Sequence, residues 1–298
     1  MTQSAPALQA TRPEFLDLFP TGAAPEQLGD GFVWTEGPCY VPSRQAVIFS
    51  DVRTNKTWRY SDAGALEVEL ERSDHQNGHC LDAQGRLVAC SHGLRSILRQ
   101  ETGGEWTILA DQFEGKRLNS PNDICLHPDG SLWFSDPTYG IDKPEEGYGG
   151  AMELPGRWVF RLAPDGTLTA PIRDRTKPNG LAFASADTLL LADTGESKVY
   201  RYRVTPDGQA GSEGVHFELS PGKTDGLRID AAGRIWSSAG DGVHVLSPDG
   251  QTELGRILLP ATCANLCFGG PDGRTLYMTV STTFWRIPTT VRGLSWQA

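Results

Sequence analysis

Six residues with oxygen-bearing side chains open six similar stretches of this 298-residue chain: Glu36, Asn77, Asn122, Asn179, Asp225 and Asn265. The stretches read EGPCYVPSRQAVIFSDV, NGHCLDAQGRLVACSH, NDICLHPDGSLWFSDP, NGLAFASADTLLLADT, DGLRIDAAGRIWSSAG and NLCFGGPDGRTLYMTV. Carboxylate and carboxamide oxygens are the donors that a hard cation such as Ca²⁺ or Mg²⁺ takes. Two carboxylates, Glu36 and Asp225, would balance a divalent charge, while the amides fill coordination without adding any. Zinc would want His or Cys in three or four positions. Only His79 and His92, in NGHC and ACSHG, lie near the pattern. No G-x-S-x-G elbow is present to support a serine triad.

Asn or Asp before Gly is also ordinary turn chemistry, and for any one pair that is the better reading. Six in register at the same point of six repeats reverse the odds. Asn122 is followed by Asp123 and Asn265 by Leu266, so a shared turn cannot explain all six.

The elements that must position these residues are short strands. The lead residues are 41, 45, 57, 46 and 40 positions apart, the length that four strands and their turns consume in one propeller blade. Turn signals recur at Asp82–Gly85, Pro128–Gly130, Asp230–Gly233 and Pro271–Gly273, with further Pro-Asp-Gly turns from Pro164, Pro206 and Pro248. Lys198–Val204 alternates apolar and polar residues as a half-buried strand does. An all-β, six-bladed propeller with four-stranded blades around a central channel is therefore expected, and its geometry brings the lead residues to one axis.

Residues 1–298 are read as a single domain. Only 33 residues follow Asn265, about three strands, so the 1–30 arm or its neighbourhood must help close the last blade. Phe15–Phe19 and Gly31–Trp34 are the candidate segments. The long spacing of 57 comes from a Gly-, Pro- and charge-rich insertion at 138–157, a candidate lid.

Composition agrees with this plan. The chain has 34 Gly and 20 Pro, too many breakers for long helices, and 38% hydrophobic residues, enough for a packed core. A net charge of −10 with scattered Lys and Arg argues against a nucleic-acid partner. No stretch reads as a signal peptide or membrane span. The six cysteines form no CxxC pair, so buried free thiols and a reduced, cytoplasmic setting are expected.

The segments WTEGP (34–38), NSPNDICLHPDGSLWFSDPTYG (119–140), KPNGLAF (177–183), KTDGLRIDAAGRIW (223–236) and ANLCFGGPDGRTLYMT (264–279) closely resemble the senescence-marker-protein/regucalcin/gluconolactonase family. The likeness runs from about residue 30 to 288, and SDPTYG points to the microbial gluconolactonase branch. The resemblance implies one catalytic divalent cation held by Glu36, Asn179 and Asp225, with Asn122 beside it touching the ion or its water and the substrate. It implies hydrolysis of a sugar lactone. At the positions where animal members carry a substrate-binding Arg and Glu, this chain has Ser120 and Gly140.

The expected chemistry is a lactone carbonyl polarised by the cation and a water activated near Asp225, as general base or, less favoured, nucleophile. Asn122, Asp136, Tyr139 and His79 are the candidates for orienting substrate hydroxyls. Ca²⁺ is the leading cation, with Mg²⁺, Mn²⁺ and Zn²⁺ as alternatives. The partner is a small-molecule lactone, and neither nucleic acid nor membrane is expected. Two other readings stay open: an esterase or phosphotriesterase on the same scaffold, and a non-catalytic Ca²⁺-binding or interaction propeller.

Overall fold

Six antiparallel sheets stand in a ring in the computed structural model, which describes residues 6–294. The innermost strand of each blade begins at or near its lead residue: Thr35–Val41, Gln76–Leu81, Ile124–Leu126, Pro178–Ser185, Leu227–Ile229 and Cys263–Gly269. We number the blades 1 to 6 in that order. Each strand pairs with its sequence neighbour outward, as Ala46–Asp51 and then Lys56–Ser61 do in blade 1. The Pro-Asp-Gly turns close hairpins with a glycine at positive φ, for example Gly130 at 85°. A two-stranded ribbon, Gln112–Phe113 with Lys116–Arg117, stands apart from the blades.

The ring closes with both ends of the chain. Glu26–Gly29 pairs with Thr283–Pro288, in the register Gln27↔Trp285, and completes the four strands of blade 6. Ala7–Ala10 adds a fifth strand to the outer edge of blade 5. Neither expected segment is the closing strand. Phe15–Phe19 lies in and just after a 3₁₀ turn, Pro13–Leu18, with Pro at its start. Phe15, Leu18 and Phe19 are buried against Trp236, Val243, Met278 and Trp285, a plug between blades 5 and 6. Gly31–Trp34 is a loop because Asp51 captures its backbone: Val33 and Trp34 both donate N–H to that carboxylate. Residues 1–5 of the arm lie outside the described residues.

The Asn-Gly and Asp-Gly pairs are not turns. Their glycines lie where inner strands of adjacent blades nearly touch. A Cβ on Gly78 would sit 2.5 Å from Asn122 O, and one on Gly180 would sit 2.1 Å from Asp225 O. Gly180 N–H donates to Asp225 O at 3.1 Å, so the glycine lets the ring tighten until lead residues meet. No helix among the described residues is long and apolar enough to cross a membrane.

Candidate active site

Five lead side chains gather at one end of the channel. Asn77 Nδ2 donates to Asn122 Oδ1 at 3.1 Å, and Asn122 Nδ2 donates to Asn179 Oδ1 at 2.6 Å. Asp225 lies beside Asn179, whose amide favours its ionised form, and the charge of Asp225 is felt by Glu36. Both carboxyls are held up: Glu36 well above the usual range by burial and then by Asp225 and Asp123, Asp225 to about 7 by burial, Asp123 and Glu146. Asp225 Oδ1 and Asn77 Oδ1 are enclosed yet accept no hydrogen bond from a described residue. Two crowded carboxyls, of which Asp225 has an orphaned oxygen, form no ion pair with a described residue. The sixth lead residue turns away: Asn265 Nδ2 donates to Asp123 and its Oδ1 accepts Leu266 N–H.

Tyr139 reaches the same place from the insertion. Its side chain is partly exposed, its hydroxyl accepts from Asn179 Nδ2 at 3.3 Å, and Lys177 Nζ stands 4.0 Å from its ring centroid. Burial, then the Asp225 charge, raise its hydroxyl above the ordinary range, so it is a neutral donor. The insertion folds as two helical turns, Tyr139–Asp142 and Pro144–Gly147. It is pinned across the ring by the buried Glu146, which takes Arg53 at 2.7 Å and Lys143 at 3.0 Å.

Two residues expected to orient substrate lie elsewhere. Asp136 is fully buried, with Oδ2 accepting Asn119 N–H at 2.8 Å. Asp51 and Asp193, at the same blade position, likewise hold the backbone that leads into Glu36 and Asn179. Asp136 is thus one member of a repeated structural clamp and does not face the ring. His79 is two residues past Asn77, about 7 Å further along the strand. Its Nδ1–H donates to Gly37 O at 2.8 Å, and it lines the opposite mouth of the channel.

In their place stand His92 and Thr194, each 15 residues after its lead Asn. His92 Nδ1 lies 3.0 Å from Glu146 O and Nε2 lies 3.0 Å from Asn122 Oδ1, with Asn77 Nδ2 3.4 Å away; both oxygens are acceptors, so the neutral ring donates its one N–H to one of them. Burial pulls His92 down to about 4, so the ring is neutral near pH 7. Thr194 Oγ1 accepts from Asn179 Nδ2 at 3.0 Å and donates to Thr224 O. The repeat register was the signal for both, because the end of the second strand folds back beside the start of the first. Ser120 and Gly140 are bonded to each other, Gly140 N–H donating to Ser120 Oγ at 3.0 Å. A Cβ at Gly140 would lie 2.5 Å from His92 Cβ, so no acidic side chain fits there.

This is a six-bladed propeller with an acid–amide ring at one mouth of its channel. Residues 34–282 match the SMP-30/Gluconolactonase/LRE-like region, and the chain belongs to that family. It is 28% identical over 294 residues to the gluconolactonase of Zymomonas mobilis, covering 90% of this chain and 82% of the relative. A gluconolactonase structure from Xanthomonas campestris aligns with TM-score 0.90 at 32% identity, over 96% of this chain and 95% of that one. An X-ray structure from the gluconolactonase family aligns with TM-score 0.95 at 70% identity, over 97% of this chain and all of that one.

Proposed function

We propose that this protein is a gluconolactonase-type enzyme that opens a small sugar lactone with the help of one divalent cation, Ca²⁺ first among the candidates. The observation that carries the reading is the convergence of Glu36, Asn122, Asn179 and Asp225 from four blades, with Asp225 Oδ1 unpartnered. An all-oxygen set with two carboxylates suits a hard cation. Among the described residues no group of three or more His, Cys, Asp or Glu is arranged to hold a metal, so amides must complete the set. Glu36, Asn122, Asn179 and Asp225 would hold the ion, which supplies Lewis-acid polarisation of an ester carbonyl and a more acidic water.

The chain's own residues do the rest. Asp225, with one oxygen free, takes the proton of the attacking water and returns it to the ring oxygen as the C–O bond breaks. Tyr139 O–H and the Asn122 amide orient substrate hydroxyls at the mouth. His92 is a positioning residue: with its proton on Nε2 it donates to Asn122 Oδ1 and fixes that side chain. The 138–157 insertion covers the mouth and keeps bulk water from the acyl carbon.

The test is chelation. Purified protein stripped with a chelator should lose hydrolysis of glucono-lactone and regain it with one equivalent of Ca²⁺, counted by elemental analysis. Full turnover in the stripped protein would overturn the cation's role. No turnover of any sugar lactone in the loaded protein would overturn the substrate class.

A further inference from the structure

The channel opens again at its far mouth, and the chemistry there is different. Three residues past each lead, about 10 Å along the inner strand, stand Cys39, Cys80, Cys125, Ala182 and Arg228, with Cys267 two past Asn265. They surround a cavity of about 600 Å³, the size of small-molecule sites. Its other walls are mostly apolar, Leu126, Phe183 and Phe268 among them. In a chain of net charge −10, the described residues lining this cavity include Arg228 and Arg292 and not one Asp or Glu.

The thiols do not make it a metal or redox centre. All six cysteines are free, and burial pushes Cys39 up to about 12, with Cys80, Cys125 and Cys267 raised in the same direction. Protonated thiols behave as small, polarisable apolar groups. Arg228 is the exception in this wall. Its Nη1 donates to Leu227 O at 2.7 Å and stands 3.5 Å from Asp123 Oδ2, while Nε and Nη2 bond to no described residue. A planar fork with unused N–H donors, set in an apolar cup, is a receptor for a carboxylate or sulfonate.

We propose that the far mouth is a second binding site, distinct from the acid–amide ring, for a small amphipathic anion: an aromatic or short alkyl carboxylate or sulfonate. The apolar body fills the cup among the thiols and Phe183, and the anionic head pairs with the open side of Arg228. The site does not depend on the lactonase reading, since no residue is shared with the ring.

The test uses anilinonaphthalene sulfonate as a fluorescent probe on the intact protein. One equivalent should bind saturably, be displaced by hexanoate, and leave glucono-lactone hydrolysis unchanged. Arg228→Met should weaken binding by at least about tenfold, the loss of one charge-assisted pair. Because that variant leaves Asp123 without its cation, a second variant, Arg228→Lys, keeps a positive charge beside Asp123 but loses the planar fork, and it too should bind the probe more weakly than the unaltered chain. Unsaturable binding, or equal affinity in a folded Arg228→Met or Arg228→Lys protein, would each overturn the proposal.

Discussion

Asn122 and Asn179 are 57 residues apart in sequence and are joined side chain to side chain, Nδ2 to Oδ1, at 2.6 Å across two blades. The bond puts the oxygens of both carboxamides in the group of side chains proposed to hold the cation. Asn122→Ala should therefore cut cation affinity, by about 10–100-fold, and also release His92 Nε2 and Asn77 Nδ2 from their shared partner. Calorimetric titration with Ca²⁺ reads the loss, and unchanged affinity would remove Asn122 from the ligand set.

Asp225→Asn separates stability from activity. Burial, then Asp123 and Glu146, push the Asp225 carboxyl up to about 7, above its unfolded value of about 4. The folded state then binds more protons than the unfolded one, so stability falls as pH rises through that window. With chelator at pH 8 the variant should melt higher than the parent chain. Its lactone hydrolysis should fall by about 10²–10⁴-fold. A lower melting point would contradict the crowded-carboxylate account.

Asp136 gives a pH signature of its own. Burial holds it at about 7 against the backbone N–H groups of Asn119 and Ser120 that favour its charge. The sign is the same: its cost is absent below the unfolded pKa and fully present above the folded one. That cost is on the order of 4 kcal/mol. Urea denaturation of Asp136→Asn should lose much of the parent's decline between pH 5 and pH 8; an identical slope would assign the decline elsewhere.

Arg53→Ala should loosen the cover of the active site. It strips one of two cations from the buried Glu146, whose backbone carbonyl also holds His92. Hydrogen exchange over 138–150 should accelerate and KM should rise, while the blades stay protected. If exchange accelerates equally in every blade, the ion pair stabilises the whole ring rather than the insertion.

Removing residues 1–30 takes away two edge strands and the Phe15–Leu18–Phe19 plug. Each buried aromatic or leucine contributes about 1.5–3 kcal/mol, so the truncated chain should melt far lower or fail to fold. Unchanged melting would show that blade 6 is stable with three strands.

The blades were legible in the sequence because each one repeats the same order of turn, apolar run and polar lead. The closing strand was not. Glu26–Gly29, EQLG, has no alternation of its own and becomes a strand only because Thr283–Pro288 offers an open edge. The lead residues could be named from register alone, since equivalent positions must meet on a symmetry axis. Their division of labour could not: Asn265 has the same place in its repeat as Asn179, yet Asp123 draws it off. Asp136 misled for a related reason. A buried carboxylate next to a family motif looks like chemistry until the matching clamps of Asp51 and Asp193 are seen. His92 was within reach, because its offset from Asn77 equals that of Thr194 from Asn179.

The pairing of Gln27 with Trp285 has a consequence for how the molecule comes into being. During synthesis, the chain must be made through Thr283–Pro288 before Glu26–Gly29 can find its sheet. Until that moment Glu36 and Asp225 sit on an unclosed arc, free to splay under their mutual repulsion. On the proposed reading, capacity for an ion should emerge abruptly with the final strand, and the cation would be a seal on finished molecules rather than a template for nascent ones.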